Sequence, residues 1–587
     1  MRYATLDALP YERILFIDFE YEEGGVPGNN PRVVCLVVRE FRTGVVQRYW
    51  RDALFDMTVA PFDIGPNTLV VAYFAPAEIQ CFRALGWRMP ENLIDLFPEF
   101  RCLTNGQYLA DGKGLVGALR YFGLDSLVPA QKDEMRQLIL SGGPWSEAQQ
   151  TAILDYCQAD VDALGPLFAA ILEHRPWTFD CLGQALIRGR YMSAVGVMQH
   201  NGIPIDLDFY SRLQKNWPAV RKKLIERVDA AFGVYEGGSF KEGLFEEYIA
   251  SQGIAWPRLE TGRLKLDRDT FRSMSKRYPQ LYPLYQLRIT LGELRLTNLT
   301  VGDDGRNRTM LSPFSSKTGR NQPSTSKFVF GLSKWMRGLI KPEEGMALAY
   351  LDWGSQEIAI AAALSGDNLL WEAYTSGDPY IAFAIQAGLA PEGATKVSHK
   401  AIRDQCKSVV LGTNYGMTAH GVAQAAGIHV LEARDLLQRH RDTYRKFWRW
   451  ADANKDRGLL GLPLETCFGW RIQAVDGVVK ANTFLNWPMQ AHGAEMMRIA
   501  CCLAVERGIK LCAPIHDALL IEAPLDRIDA DVKTLKQCMV DASELVLGQG
   551  RVCRVDVEII RHPDRYTDES GVAMWDQVME ILREIEG

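Results

Sequence analysis

Asp352 and Asp517 lie far apart in the chain, yet each carboxylate ends an apolar strand-like run, in MALAYLDW and LCAPIHDALLIEAP. If the two strands are neighbours, the pair offers hard oxygen ligands to divalent cations. Two such ions can activate a hydroxyl and hold a polyphosphate. Either aspartate alone reads as an ordinary turn residue. Between them runs Arg403-x3-Lys407-x3-Leu411-x3-Tyr415-Gly416. Steps of four on a 3.6-residue helix drift about 40° each, so these positions share one broad stripe. Cations at its start and an aromatic at its end suit a surface that grips a polyphosphate and then covers a flat ring. Lys407 is suited to donate a proton to the leaving group. Amphipathic surface helices carry similar patterns, but Gly412 costs ~1 kcal/mol relative to Ala and serves no purpose on a plain surface.

A second group of acids lies near the N-terminus. In RILFIDFEY the strand period of two puts Asp18 and Glu20 on one face with Ile14 and Phe16; Leu15, Ile17 and Phe19 line the other. Such carboxylates are costly to bury without a partner, so they either share a metal or end a strand that reaches solvent. Further on, Ser146 and Gln149 form a capping box that opens a helix. That helix carries Tyr156 and Asp160 at i,i+4, on one face. An Asp that binds metal and a Tyr that orients water suit hydrolysis.

The elements that must position these groups follow from the pattern around them. The first ~180 residues alternate strand-like and helical runs, which predicts an α/β unit. Residues 200–300 read as mostly helical, and 302–324 as turn-rich. A strand, a helical block over about 355–460 and a strand–turn–strand near the end complete the chain. Two carboxylate-bearing strands therefore bracket a large helical insertion.

The 587 residues suggest three to four structural units, and 47% hydrophobic with 24% charged residues is a globular balance. No run approaches a membrane span, and the first residues lack a signal-peptide pattern, so a cytoplasmic location is expected. Twelve cysteines without a CxxC pair read as reduced thiols. The net charge of −6 does not advertise nucleic-acid binding. Acids that hold cations distort that average, however, and 211–227 and 396–407 are locally basic.

The N-terminal motifs resemble those of the DEDDy 3′→5′ exonucleases, whose third motif is Tyr-x3-Asp. In Ala72-Tyr73-Phe74-Ala75-Pro76-Ala77-Glu78, Glu78 falls where those enzymes have Asp, and their His-Asn pair is absent. The resemblance implies an RNase H-like α/β domain with a mixed sheet over residues 1–185. It also implies two-metal hydrolysis, with Asp18, Glu20, Glu78 and Asp160 as ligands and Tyr156 at the attacking water.

The remainder, from about 190 onward, resembles the family A DNA polymerases in the order of its motifs. Asp352-Trp353-Gly354-Ser355-Gln356-Glu357 is similar to motif A, Arg403 to Gly416 to motif B, and His516-Asp517 to motif C. Thr318-Gly319-Arg320 and Asn486-Trp487-Pro488-Met489-Gln490 resemble the segments that contact the primer end and the template side. The implied fold is an α+β right hand over 186–587. Its thumb would span about 205–310, its palm about 311–370 and 475–587, and its fingers about 371–474. The implied chemistry is dNTP transfer to a primer 3′-OH at Asp352 and Asp517, with two Mg²⁺ ions per active site and Mn²⁺ able to substitute. Arg403, Lys407, Leu411, Tyr415, Glu357, Arg337 and Tyr380 would bind the dNTP, Glu357 excluding a ribose 2′-OH. Arg320, Gln490, His516 and Asn486 would bind DNA. Ala518 stands where motif C has a third carboxylate, Leu411 where the family has Phe or Tyr, and Tyr380 where a His is common.

These departures suggest a divergent enzyme of bacteriophage type. It is expected to act as a monomer on primer–template DNA, working with a helicase, primase or single-strand-binding protein. The alternatives are an exonuclease whose polymerase region only holds DNA, and a DNA-binding protein with both centres decayed.

Overall fold

The computed structural model describes residues 4–124, 129–175, 179–292, 299–474 and 479–587. The expected palm boundary at 475 and thumb residues 293–298 lie outside these. The N-terminal unit is built on a five-stranded mixed sheet of order β3-β2-β1-β4-β5. Its strands are β1 (Arg13–Glu22), β2 (Arg32–Glu40), β3 (Val46–Trp50), β4 (Thr68–Ala72) and β5 (Leu93–Asp95). Strands β1, β2 and β3 pair antiparallel; β4 and β5 join β1 in parallel.

The period-two reading of β1 holds. Ile14 and Phe16 pack with Val161, Leu164 and Phe168 of the helix Glu147–His174. Leu15, Ile17 and Phe19 join the core on the opposite face, with Ile79 and Phe82 of α1 (Pro76–Ala84). A short helix, α2 (Pro129–Leu140), leads into the long one, α3 (Glu147–His174). Ser146 caps α3 as expected: its Oγ accepts from Gln149 N, and the Gln149 side chain accepts from Ser146 N.

The boundary expected near 185 falls inside a helix, α4 (Phe179–Asn201). This helix packs on α1 and β5 on one side and on the C-terminal region on the other. Two glycines permit the approach: a Cβ at Gly189 would lie 1.8 Å from Leu93 O, and one at Gly196 2.6 Å from Ile79 Cβ. Their seven-residue spacing keeps both on one helix face. A buried ion pair adds a second tie. Arg188 on α4 grips both Glu99 oxygens at 2.5 and 2.8 Å and donates to Phe468 O. Breaking such a pair from one side costs about 3–5 kcal/mol.

The C-terminal region centres on a four-stranded antiparallel sheet. Its strands are β6 (Met346–Trp353), β7 (Leu511–Ile515), β8 (Ala518–Pro524) and β9 (Val555–Arg561), in the order β7-β8-β6-β9. Between β6 and β7 run α5 (Gln356–Ser365), α6 (Pro379–Gln386), α7 (Lys400–Asn414) and α8 (Ala481–Glu506), among other helices. The anticipated helical insertion is therefore present, and its bracketing strands are neighbours. Helix α8 is buried along nearly its whole length, and its Arg498 pairs with Glu495 at 2.9 Å. No helix among the described residues is long and apolar enough to cross a membrane.

Candidate functional site

The structure brings the N-terminal acids together. Asp18 and Glu20 project from one face of β1, which runs two residues beyond Glu20. Ligand atoms of Asp18, Glu20 and Cys157 lie within 4.8 Å of one another. Cys157 on α3 donates its thiol to Asp18 O, and burial among these acids raises its pKa, so it stays protonated. The oxygens are then the better donors, which fits a hard cation.

Glu78 reaches the same place from the first turn of α1. Strand β4 stops pairing with β1 after Phe16, and Glu78 Oε2 takes over that edge by accepting from Phe19 N at 3.1 Å. The turn into α1 holds Phe74 at φ 70°, a left-handed conformation costing about 1–3 kcal/mol. Asp95 fixes it by accepting from Phe74 N and Ala75 N.

Burial, reinforced by neighbouring acids, pushes Asp18 up to about 8 and raises Glu20 and Glu78 well above the usual carboxylate range. Asp160 is raised less, because Lys132 of α2 donates to both its oxygens at 2.6 and 2.9 Å. The same ammonium lies 5.6 Å from the Tyr156 ring, and Tyr156 hydrogen-bonds Asp160. Lys132 was invisible to the sequence reading. It sits in an ordinary charged helix, and no spacing rule ties it to Asp160.

At the second centre, Asp352 is the penultimate residue of β6, directly opposite Ala518 of β8. Asp517 lies in the two-residue hairpin turn between β7 and β8, whose other member, His516, takes φ 54°. A tight hairpin demands a positive φ there, usually from glycine. The backbone bond from Trp353 N to Asp517 O, 3.2 Å, ties this turn to the end of β6. Burial, then Asp517, then Asp556 raise the Asp352 carboxyl to about 7. Oδ1 of Asp352 is buried and receives no hydrogen bond. A carboxylate oxygen left in that state beside a second acid fits a cation-binding role.

The stripe on α7 also assembles. Arg403 Nε donates to Asp378, the N-cap of α6, at 2.6 Å. Arg403 and Lys407 both lie over the Tyr380 ring, at 5.2 and 5.8 Å. Tyr380 in turn hydrogen-bonds Ser355, three residues after Asp352. Lys407 is exposed and Leu411 half-buried along the same stripe. Gly412 is where α7 meets its neighbour: an added Cβ would lie 3.1 Å from Met417 Sδ.

At the C-terminal end of α7, Tyr415 Oη donates to Glu357 Oε1 at 2.9 Å. Gln490 of α8 donates to both, at 2.5 Å to Glu357 and 2.9 Å to Tyr415. Arg320 joins this group through Gln490 O. Its segment is pinned by Trp470 and Trp487, which donate to Lys317 O, and by Arg498, which donates to Gly319 O. Asn486 keeps a buried, unpartnered Oδ1. His516 lines a cavity of about 200 Å³ together with Arg320 and Arg498. Arg337 stands somewhat apart, paired with Asp568 at 2.7 Å and stacked on Phe330.

Residues 259–559, which hold most of this second centre, match the family model for DNA polymerase family A. The chain belongs to that family. Among family A proteins, DNA polymerase I of Thermus thermophilus is 25% identical over 372 residues, 58% of this chain and 44% of that protein. DNA polymerase I of Chloroflexus aurantiacus is 25% identical over 374 residues, 58% of this chain and 39% of that one. The chain thus spans less than half the length of these family A relatives. The fold is similar to the POL domain of Pol1 from M. smegmatis, solved in complex with DNA primer-template and dNTP. The TM-score is 0.72 at 18% identity, covering 94% of this chain and 96% of that one.

Proposed function

We propose that the chain is a template-directed DNA polymerase. It would join dNTPs to a primer 3′-OH at Asp352 and Asp517 and hydrolyse 3′ ends at the N-terminal acids. The observation that carries this reading is that Asp352 near the end of β6 and Asp517 in the adjoining β7–β8 turn come together, with the Arg403–Lys407–Tyr415 stripe joined to the same segment through Tyr380 and Glu357. The complex of the M. smegmatis neighbour with primer-template and dNTP supports the same substrates here.

At Asp352 and Asp517, two Mg²⁺ ions would supply Lewis-acid activation of the primer hydroxyl and neutralise the triphosphate charge. The chain's own residues do the rest. Lys407 and Arg403 hold the polyphosphate, and Lys407 hands a proton to the departing pyrophosphate. Glu357, held in place by Gln490 and Tyr415, stands where a ribose 2′-OH would have to fit. Arg320, Gln490, Asn486 and His516 line the DNA side.

At the N-terminal centre, Asp18, Glu20, Glu78 and Asp160 would hold the ions, and Tyr156 would orient the water. The five-stranded mixed sheet and the shared site of these four acids support an RNase H-like exonuclease domain. We extend this to thumb, palm and fingers with the bounds given above. Ala518, Leu411 and Tyr380 fit a divergent replicative enzyme of bacteriophage type.

The test is a labelled primer–template with Mg²⁺, with and without dNTPs. Extension with dNTPs and shortening without them are expected. Wild-type protein that shortens the primer but never extends it would sink the polymerase reading.

A further inference from the structure

We infer that Asp556 is a third carboxylate of the centre at Asp352 and Asp517, supplying from the opposite side the acid that Ala518 lacks. This rests on the polymerase reading above. Asp352 lies on the inner strand β6, directly opposite Ala518 on β8 and directly opposite Asp556 on β9. Residues facing each other across antiparallel strands project to the same face, with Cβ atoms about 4.5–5.5 Å apart. Ala518 and Asp556 therefore flank Asp352 on the face that also carries its carboxyl. On the β8 side the neighbour is a methyl group; on the β9 side it is an acid.

The surroundings leave room for that acid. Position 354, just after β6, is glycine. A Cβ there would lie 3.1 Å from Asp556 Oδ2 and 2.8 Å from Arg554 Nη2. A side chain there would displace the Arg554 guanidinium and crowd the Asp556 carboxylate. Arg554 is tied down by backbone: its O accepts from Gly354 N, its N donates to Tyr374 Oη, and its Nη1 donates to Gly377 O. It meets Asp556 only at 3.7 Å. Asp556 thus keeps carboxylate oxygens available on the side of Asp352, with its own side chain 64% exposed. The rival explanation is a solvated charge on an edge strand, since β9 ends the sheet and edge strands are commonly charged. That explanation does not account for the side-chain-free position at Gly354.

The test uses the full chain carrying Asp18→Ala, which cripples the other centre. Mn²⁺ binding is titrated calorimetrically without DNA, and primer extension is followed against Mg²⁺ concentration. Asp556→Asn should weaken Mn²⁺ binding about tenfold and shift the Mg²⁺ requirement of extension upward by a similar factor. Adding Ala518→Glu to Asp556→Asn should recover much of both. Glu558→Gln, two residues along the same edge strand, should change neither. The inference is overturned if Asp556→Asn leaves Mn²⁺ binding intact, or if Glu558→Gln reproduces its effect. If the parent chain never extends a primer, the polymerase reading fails, while the Mn²⁺ titration still decides whether Asp556 is a ligand.

Discussion

In the N-terminal unit, Asp18, Glu20 and Asp160 share one neighbouring cation, Lys132, which already grips Asp160, and Glu78 adjoins Asp18 and Glu20. At the end of β6, among the described residues, no cation pairs with Asp352 or Asp517; Arg554 stands beside Asp556 at 3.7 Å, and Arg403 and Lys407 on α7 lie over Tyr380. The first centre carries part of its counter-charge within its own walls. The second has no cation in contact with Asp352 or Asp517 among the described residues. Acids this close, in surroundings this dry, repel one another unless charge is supplied. The two centres therefore meet one electrostatic problem in different ways.

The largest effects should come from separating the centres. Asp517→Ala should lower primer extension on the order of a thousandfold or more, because several kcal/mol of charge stabilisation is lost. Shortening of the primer should continue unchanged. Asp18→Ala should do the reverse. Loss of both activities in either variant would show that the two centres do not act independently.

Lys132 offers a sharper cut. If it is the counter-charge of the first centre, Lys132→Met should slow shortening by about 10–100-fold, the usual cost of removing a group that orients a metal ligand. Extension should not change. Unaltered shortening, measured on single-stranded DNA, would reduce Lys132 to a resting-state partner of Asp160.

How much of this contrast was legible beforehand depends on how far each signal travels along the chain. Asp18 and Glu20 declare a shared face by strand period, and Tyr156 with Asp160 by helix period. Both are local, and both hold. Asp352, Asp517 and the α7 stripe were readable because each carries its own short motif. Lys132 and Asp556 were not. One acts across a helix–helix contact, the other through strand register, and register is set by pairing between segments remote in sequence. Helix α4 shows the same limit at the level of units. A boundary near 185 looks reasonable in sequence, but Gly189 and Gly196 mark a helix pressed against the N-terminal unit.

On the transfer side, the cluster of Glu357, Tyr415 and Gln490 should act on substrate choice rather than on metal binding. Glu357→Ala removes the acceptor of both hydrogen bonds and would open space where the proposed reading puts the sugar. Ribonucleotide incorporation relative to dNTP should rise by about 10–100-fold, the range expected when a small steric barrier in a pocket is lost. Shortening should stay the same. An unchanged ratio would assign sugar discrimination elsewhere, with Leu411 the next residue on the stripe to examine.

The smallest effect concerns the helix packed against α7, which carries Arg403 and Lys407. His440, on the helix Val430–Thr443 packed against α7, is buried among Phe383, Tyr444 and Trp448. Trp448 Nε1 donates to His440 Nδ1 at 3.0 Å, so that nitrogen must be unprotonated. Burial, aided slightly by Arg441, presses the imidazole down to about 3. The unfolded chain titrates near ~6.5. Between these values the unfolded state holds a proton that the folded state refuses. The stabilisation is therefore complete above about 6.5 and drains away as pH falls toward 3. At pH 5 the loss from this one residue should be about 2 kcal/mol relative to neutral pH. Denaturant titrations followed by tryptophan fluorescence at pH 7.5 and pH 5 should show that difference between wild type and His440→Gln, whose amide can still accept from Trp448. The variant should be less stable at neutral pH and less sensitive to acid. Equal acid sensitivity in both proteins would place the pH response in the carboxylate centres instead of in the helix packed against α7.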